Sequence, residues 1–535
     1  MKIVISHSNL LDLGMLTGTA DLAAKIFPGR RLSIEPGLEL PKRWLQQCIT
    51  SHSMCSDSVS SPLPTRIIDV GCNESSEDPF LFVPETNVKG RYAALSYCWG
   101  NYKGPVLTMA NLNDMRHGIP FLGLPKTIRD AIKISRGLGL RYLWVDSQCI
   151  IQDSIQDWQM ESSNMCNIYL NAFITIQASG ADNTSVGCFI QRVPPKHPPA
   201  KLNFESEDGR AGSVFTRYEP LDGIKTAEPI DRRAWTLQEA LLSPRILSFG
   251  AMQMWWECKA ACHSEAGSQT EEHYFLTGLP KPIRTREKKN WTALYRPNHN
   301  PELKKQFTWA FIIEDYASRR LTFAKDKLPA LSGLARQMSR IRPGDTYLAG
   351  LWSKDLPNNL LWGVTSEGRR PPTYRAPSWS WASLDGRLGA LDKSFNSRDG
   401  FCQILDASTT TSGLDPFGEV SGGFIKLCGQ LKEAWRVLDD RGDRRVQFLY
   451  KENRLPVFPE VPFLLKLGLC ELDFVDSAQI PEEPVSAWCI RLTEFEGLMV
   501  QKTAKGEYER IGLFVVDENK VDWFEDSNLQ TIFLV

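Results

Sequence analysis

The chain has 535 residues, which is too many for a single hydrophobic core and predicts two to four domains. A hydrophobic share of 42% and a charged share of 23% are ordinary for a soluble globular protein. The net charge of −1 provides little attraction for nucleic acid or an anionic membrane, so we expect neither as a partner.

The beginning of the chain and its apolar runs argue against export or membrane insertion. Residues 1–27 lack the continuous apolar core of a signal peptide, and no run approaches the roughly 18 apolar residues of a membrane-spanning helix. We therefore expect a cytoplasmic protein without a membrane span. Its 13 cysteines are an odd number and are scattered along the chain, which in that compartment predicts reduced thiols rather than a disulfide framework.

A short helix beginning at Pro41 is followed by three residues of the types that bind zinc. These are Cys48, His52 and Cys55. A structural zinc ion usually has four protein ligands, and buried or idle thiols are the alternative interpretation of this group. No metal site is assigned from these three residues alone.

Strand-like and helix-like segments alternate in the first half of the chain. The pattern predicts strands at residues 65–70, 79–83, 92–97, 142–145, 173–178 and 245–249, and helices at residues 126–138 and 157–171. A strand–helix–strand order of this length forms a βαβ unit, so the strands at 92–97, 142–145 and 173–178 should be parallel with right-handed crossovers. The sequence therefore predicts an α/β core built on a parallel sheet.

Acidic and aromatic side chains follow two of these strands. Ser96 and Trp99 come at the end of one strand, and Asp146 and Asp153 follow the next. Ligands bind beyond the carboxyl ends of strands in open parallel sheets, so we predict a ligand cleft formed by these four residues and Trp158. The acids could instead cap loops and helices, and an indole in this position could be packed in the core.

A second group of potential metal ligands lies after the α/β region. Cys258, Cys262 and His263 lack the paired spacing that is usual for zinc sites. One alternative stays open, in which residues of this group and of the first group together form a single site.

The pattern of the second half changes from helices to strands. Helices are predicted at residues 307–318 and 327–341. The alternating Trp379 and Trp381 predict a strand with both indoles on one face, either packed in the core or stacked on a ligand. From about residue 420, short β-like runs alternate with turns, which predicts an antiparallel module.

Five segments occur in an order that resembles the fungal heterokaryon-incompatibility (HET) domain. They are YAALSYCWG (92–100), LPKTIRDAI (124–132), LGLRYLWVDSQCIIQD (138–153), DWQMESSNMCNIYLNA (157–172) and RAWTLQEALLSPRIL (233–247). Later segments at 320–335, 347–352 and 376–386 are similar to the region that often follows this domain. The resemblance implies a cytoplasmic protein of a filamentous fungus that acts in non-self recognition and programmed cell death, through protein partners or self-association.

The HET domain is in turn remotely similar to Toll/interleukin-receptor (TIR) domains, which have a flavodoxin-like α/β fold. Some TIR domains cleave NAD with a glutamate on a helix. This likeness implies NAD as a candidate substrate and Glu161 as the catalytic residue, three residues after Trp158 where the TIR pattern has four. A carboxylate at this position could stabilise an oxocarbenium-like centre during N-glycosidic cleavage. Alternatively, a glutamate in the first turns of a helix complements the helix dipole.

Together these features predict an α/β fold with a flavodoxin/TIR-like parallel-sheet HET core, an added helical segment and a C-terminal antiparallel β module. The predicted boundaries are an N-terminal extension at 1–91, the HET domain at 92–240, a tryptophan-rich helical region at 241–390 and a β-rich module at 391–535. The chain has no glycine-rich phosphate loop, which argues against a kinase, GTPase or dehydrogenase. Two functions remain, an interaction and effector module in incompatibility or a TIR-like NAD glycohydrolase.

Overall fold

A computed structural model of the chain describes residues 12–19, 37–55, 60–71, 78–101, 104–191, 201–205, 211–219, 228–265, 267–268, 301–364, 368–389, 401–438, 445–451, 464–472, 485–516 and 523–535. The chain divides into two compact units, Met1–Ala293 and Leu294–Val535. Each unit has its own buried apolar core. The finer boundaries predicted inside these units, at residues 91, 240 and 390, stay predictions.

The first unit contains short strands and helices that alternate through its middle. Its strands are β1 (Asp12–Thr19), β2 (Ser61–Pro62), β3 (Ile67–Asp69), β4 (Phe80–Phe82), β5 (Lys89–Gly90), β6 (Tyr92–Ser96), β7 (Tyr142–Trp144), β8 (Ile174–Gln177), β9 (Lys201–Glu205), β10 (Ala211–Glu219), β11 (Arg245–Phe249), β12 (Met254–Cys258), β13 (Cys262–Ser264) and β14 (Gly267–Ser268). Its helices are α1 (Glu39–Ser51), α2 (Leu112–His117), α3 (Lys126–Gly137), α4 (Asp146–Cys149), α5 (Ile155–Asn171) and α6 (Trp235–Leu242).

A mixed sheet forms the centre of this unit. Among the described residues it has nine strands, in the order β14-β13-β12-β11-β8-β6-β7-β3-β4. Its four middle strands are parallel, because β6 pairs with β7 and β8, and β8 pairs with β11. Numbered by their order in the chain, these four strands lie 2-1-3-4 across the sheet. Every residue of β6, β8 and β11 is buried, as in parallel sheets that are covered on both faces.

Two helices show why the predicted pattern folds in this way. The inward face of α3 is a stripe of buried side chains, and Gly139, at φ +75°, turns the chain toward β7 after the helix. Helix α5 begins after Ser154, whose side chain accepts a hydrogen bond from the Asp157 backbone N–H at 3.2 Å. The predicted parallel orientation of the strands at 92–97, 142–145 and 173–178 and both predicted helices are thus confirmed. The predicted strands at 65–70 and 79–83 also form, as β3 and β4, but β3 pairs antiparallel with both β7 and β4.

Two details of the predicted βαβ region differ in the structure. Asp146–Cys149, to which the sequence pattern assigned no helix, forms the short helix α4, and the N–H of Cys149 donates to the carbonyl of Val145 at 2.8 Å. Strands β7 and β8 flank α5 in the chain, but each pairs with β6 instead of with the other. Long-range pairing, which periodicity does not encode, places β6 between them.

The second unit begins with two helices and ends with long strands. Its helices are α7 (Pro301–Ala317) and α8 (Pro329–Arg340). Its strands are β15 (Tyr347–Leu348), β16 (Leu351–Trp352), β17 (Gly363–Val364), β18 (Leu388–Gly389), β19 (Cys402–Thr411), β20 (Val420–Leu438), β21 (Arg445–Lys451), β22 (Leu464–Leu472), β23 (Val485–Arg491), β24 (Glu496–Lys502), β25 (Tyr508–Val516) and β26 (Leu529–Leu534).

The predicted strand through Trp379 and Trp381 is wrong. Trp381–Ser383 is a 3-10 helix, and the Ser380 hydroxyl before it accepts a hydrogen bond from the Ala382 N–H at 3.0 Å. Both indoles are nonetheless buried, at 0% and 1% exposure, so core packing is the correct interpretation. The two tryptophans alternate in the sequence because both are buried in one core, and their backbone does not form a strand.

The C-terminal strands pair antiparallel, as predicted, apart from one short parallel contact. β20 pairs with β23 and β26, and the succession β23-β24-β25-β26 returns to β20, which closes five strands into a ring. One buried cluster inside this sheet is formed by Ala434, Ala487, Cys489, Met499, Ile511, Phe514, Val516 and Phe524.

In the part of the chain that the structure describes, no helix combines the length and the apolar composition needed to cross a membrane.

Candidate functional site

The carboxyl ends of β6 and β7 bring a cluster of polar and aromatic side chains to one edge of the central sheet. β6 ends at Ser96 and is followed by Tyr97 and Trp99, and Asp146 comes two residues after the end of β7. Because β6 and β7 are parallel neighbours, their carboxyl ends meet at the same edge. This is the edge at which the sequence predicts a ligand cleft.

Two of the predicted cleft residues are in direct contact. The indole N–H of Trp99 donates to Asp146 Oδ2 at 2.9 Å, and the Ser147 backbone N–H donates to Oδ1 at 2.7 Å. The Tyr97 hydroxyl donates to Ser147 Oγ at 2.9 Å. Burial raises the pKa of Asp146, and the nearby guanidinium of Arg233 is the largest opposing influence.

A buried glutamate on α6 belongs to the same cluster. Glu239 is 4% exposed, and burial raises its pKa to about 7. Arg233 lowers this pKa, as do the hydroxyls of Ser96 and Tyr169. The Arg233 guanidinium also donates to the Tyr97 carbonyl, so it lies between the strand end and both acids.

Glu239 and Arg233 were not among the predicted site residues, although both lie within one of the HET-like segments. Helix α6 reads WTLQEALL, and every residue after Trp235 is buried. A carboxylate in such an apolar helix is the signal that could have identified Glu239, because acids are rarely buried without a partner or a function.

Glu161, the predicted catalytic residue, is buried in a different set of contacts. It lies on α5 at 1% exposure, and the Arg66 guanidinium is 3.5 Å from its Oε1. The same guanidinium donates to both Asp157 oxygens, at 2.7 and 2.6 Å. Burial raises the pKa of Glu161, whereas Thr65 and Arg66 lower it. The contacts of Glu161 therefore lie with the segment that leads into β3, while those of Asp146 lie at the end of β6.

The two other predicted cleft residues have peripheral positions. Asp153 is exposed, and its Oδ1 accepts a hydrogen bond from the Met109 backbone N–H at 2.9 Å. This contact is the loop-capping interaction that was the alternative interpretation of the acid. Trp158 is half-buried on α5.

The chemistry available at this edge depends on how deeply its side chains are buried. Trp99, Asp146 and Arg233 are half-buried, whereas Ser96 and Glu239 are buried. A carboxyl whose pKa lies near 7 can hold or release a proton at neutral pH. Such perturbed acids are enriched at functional sites, so this cluster is the strongest candidate in the first unit.

The structure also joins the two Cys/His groups of the sequence. One ligand atom from each of Cys48, His52, Cys55 and Cys258 lies within 4.8 Å of the others. Cys262 and His263, which were grouped with Cys258, do not belong to this set. The His263 ring stacks on Trp44 instead, with ring centroids 6.4 Å apart.

A separate pocket in the first unit lies at the amino ends of the strands. Arg91, Phe173 and Arg245 line it, and both guanidinium groups lie over the Phe173 ring at 5.0 and 4.9 Å from its centre. This pocket is at the opposite edge of the sheet from Trp99 and Asp146, and neither the predicted cleft residues nor Glu161 line it.

Comparison with known proteins yields one match. Residues 92–239 match the family model described as heterokaryon incompatibility protein (HET). No curated protein and no solved structure matches the chain. The matched range contains β6 to β8 and helix α6 up to Glu239, and with them the cluster of Trp99, Asp146 and Arg233. The chain therefore carries a heterokaryon incompatibility (HET) domain.

Proposed function

We propose that this protein acts in fungal non-self recognition and programmed cell death, mainly as a cytoplasmic effector that works through protein partners or self-association. The observation that carries this proposal is the HET domain at residues 92–239. A sheet order of 2-1-3-4 for its parallel strands supports a flavodoxin-like or TIR-like core, since flavodoxin-like sheets have the order 2-1-3-4-5.

Viability after production of the chain in a filamentous fungus tests this role. We expect wild-type protein to reduce the number of viable cells. Leu95→Asp serves as the control, because it places an unpaired charge at a position in β6 that is 1% exposed, and it should abolish the effect together with the fold. Unchanged viability at matched levels of folded protein contradicts the role.

Self-association is measured separately on the purified chain. We expect sedimentation velocity to show a concentration-dependent shift from monomer to oligomer if copies of the chain bind one another. A strictly monomeric chain would leave other proteins as the partners in this proposal.

A second candidate function is hydrolysis of NAD, and the Trp99–Asp146–Glu239 cluster favours it. An indole face can stack on the cationic nicotinamide ring, and a carboxylate can stabilise the positive charge that develops on the ribose. The bond between nicotinamide and ribose C1′ breaks, its electron pair goes to the ring nitrogen, and water adds to C1′ with loss of a proton. The products are nicotinamide and ADP-ribose.

The position of the cluster agrees with this chemistry. In flavodoxin-like sheets the ligand lies at the carboxyl ends, where the strand order reverses. Here that reversal lies between β6 and β8, and at this point β6 ends at Ser96 and is followed by Trp99. Asp146 is held by the Trp99 indole, so a ligand that stacks on Trp99 would lie beside a carboxylate.

Release of nicotinamide by purified protein distinguishes the candidate acids. If the cluster is catalytic, Asp146→Asn and Glu239→Gln should each reduce turnover at least tenfold, whereas Asp153→Asn, on an exposed acid that holds a loop, should retain it. Glu161→Gln tests the residue implied by the TIR likeness. If Glu161→Gln releases nicotinamide as fast as the wild-type protein, Glu161 is not part of the mechanism. If the wild-type protein releases no nicotinamide in any oligomeric state, the interaction module remains as the candidate function.

A further inference from the structure

Four potential metal ligands from distant parts of the chain converge in the first unit. Cys48 lies in the last turn of α1, His52 follows that helix, and Cys55 ends the 3-10 turn after it. Cys258 ends β12, more than 200 residues later in the chain. Helix α1 packs against β12, and this contact brings the two segments together.

The spacing of the four ligand atoms fits one tetrahedral ion. All four lie within 4.8 Å of one another, and the distance from Cys258 Sγ to His52 Nδ1 is 3.4 Å. With zinc–sulfur bonds of about 2.3 Å and zinc–nitrogen bonds of about 2.0 Å, tetrahedral coordination needs sulfur–sulfur edges near 3.8 Å and shorter sulfur–nitrogen edges. The side chains thus need only small rotations to bind a common ion.

The surroundings of the cluster resemble those of zinc thiolates. Cys48, Cys55 and Cys258 are buried and free of disulfides. The Ala261 backbone N–H donates to Cys258 Sγ at 3.3 Å, a contact that stabilises a thiolate and orients it toward a metal. The tight turn between β12 and β13 supplies this donor, because the Cys258 N–H pairs with the Ala261 carbonyl at 2.9 Å.

A buried cation balances the charge of the proposed ion and its ligands. Zinc carries two positive charges and three thiolates carry three negative charges, so the site with a neutral histidine has a net charge of −1. Arg245 is 3% exposed, and its guanidinium donates to the Cys55 carbonyl and lies beside the Cys48 sulfur. It therefore offsets the remaining negative charge in a region with little water.

We propose that Cys48, His52, Cys55 and Cys258 bind one structural zinc ion. Four protein ligands leave no open coordination position, which is the arrangement of structural rather than catalytic zinc. The first three ligands precede the HET domain at residues 92–239 and the fourth follows it. The ion would fasten helix α1 to strand β12 of the central sheet and so join the two segments that flank the domain.

Metal analysis of the full-length chain, purified under reducing conditions, tests the site. We expect about one zinc per chain, and loss of this zinc in Cys48→Ser, Cys258→Ser and His52→Ala. His52→Cys should keep the metal, since four thiolates also bind zinc. Cys262→Ser is the matched control, because it removes a neighbouring thiol outside the four-atom set and should leave the zinc content unchanged.

The wild-type chain alone provides a second test, should the serine variants fail to fold. Replacing zinc by cobalt should produce the visible and near-ultraviolet absorption of a tetrahedral cobalt thiolate, and a chelator should abolish the absorption and lower the melting temperature. The proposal is overturned if the folded wild-type chain neither contains nor takes up zinc or cobalt. It is also overturned if mass spectrometry without reduction finds two of the three cysteines joined in a disulfide, or if Cys258→Ser retains full zinc.

Discussion

Two buried glutamates on neighbouring helices of the first unit have different partners. Glu161 lies 3.5 Å from the Arg66 guanidinium, so its negative charge is compensated by a cation that also binds Asp157. Glu239 lies among the hydroxyls of Ser96 and Tyr169 with Arg233 nearby, and its pKa is about 7. The residue with the more strongly paired charge is suited to holding the fold, and the other is suited to proton exchange.

Glu239 should make the stability of the first unit depend on pH. Its folded-state pKa of about 7 exceeds the ordinary value of 4.5, so the folded protein binds more protons than the unfolded chain between these pH values. The free energy of unfolding should therefore fall as pH rises from 4.5 to 7, by about 3 kcal/mol from this residue, and then level off. Glu239→Gln should remove this part of the dependence. Denaturant unfolding at pH 5 and pH 7.5 measures the free energy of unfolding of the wild type and of the variant. The same change with pH in the two proteins would contradict the prediction.

At the scale of elements, one glycine organises the tryptophan-rich part of the second unit. The carbonyl of Gly350 accepts hydrogen bonds from Trp309 at 2.9 Å and from Trp381 at 3.2 Å. Gly350 has φ +101°, and a Cβ atom there would lie 2.5 Å from the Trp381 Nε1 atom. Helix α7, the turn between β15 and β16, and the 3-10 helix at Trp381 thus meet at a position that has no room for a side chain.

Gly350→Ala should destabilise the second unit by about 2–4 kcal/mol, because backbone strain and a steric clash with the indole act together. Gly506→Ala is the matched control, since Gly506 has φ +85° but no neighbouring atom within 4 Å of an added Cβ, and it should show the strain alone. Thermal unfolding measures the loss of stability in each of the two variants. Equal losses in the two variants would mean that the clash with Trp381 is relieved without cost.

At the scale of the whole molecule, the chain has two compact units with separate cores. The first is built on a mixed sheet with parallel middle strands, and the second on helices, buried indoles and antiparallel strands. The proposed zinc ligands all lie in the first unit, and the Gly350 contacts all lie in the second. Each unit therefore has a separate feature through which its stability can be changed.

Calorimetry of the full-length chain should resolve two unfolding transitions, since units with separate cores unfold as separate cooperative blocks. A zinc chelator should lower the temperature of one transition, and Gly350→Ala should lower the other. A single transition that responds to both changes would show instead that the chain unfolds as one cooperative block.

Local pattern was sufficient for the elements that are periodic and long. The helices at residues 126–138 and 157–171 and the strand at residues 245–249 were all predicted, because the signals that define them lie within a few residues of one another. The pair of Trp99 and Asp146 was also predicted, because parallel strands place their carboxyl ends together. The strand predicted through Trp379 and Trp381 was wrong, since two nearby buried indoles can alternate in the sequence as in a strand although the backbone is not extended.

By itself, the sequence determined that residues 92–239 form an α/β domain of the HET type and that polar residues follow its parallel strands. Only the tertiary structure decided which of these residues meet. It placed Glu239 near Asp146 and Glu161 beside Arg66, and it brought Cys258 to Cys48. The physical reason is that periodicity reports which face of an element is buried, whereas contacts between distant segments depend on strand order and packing, which only the folded chain defines.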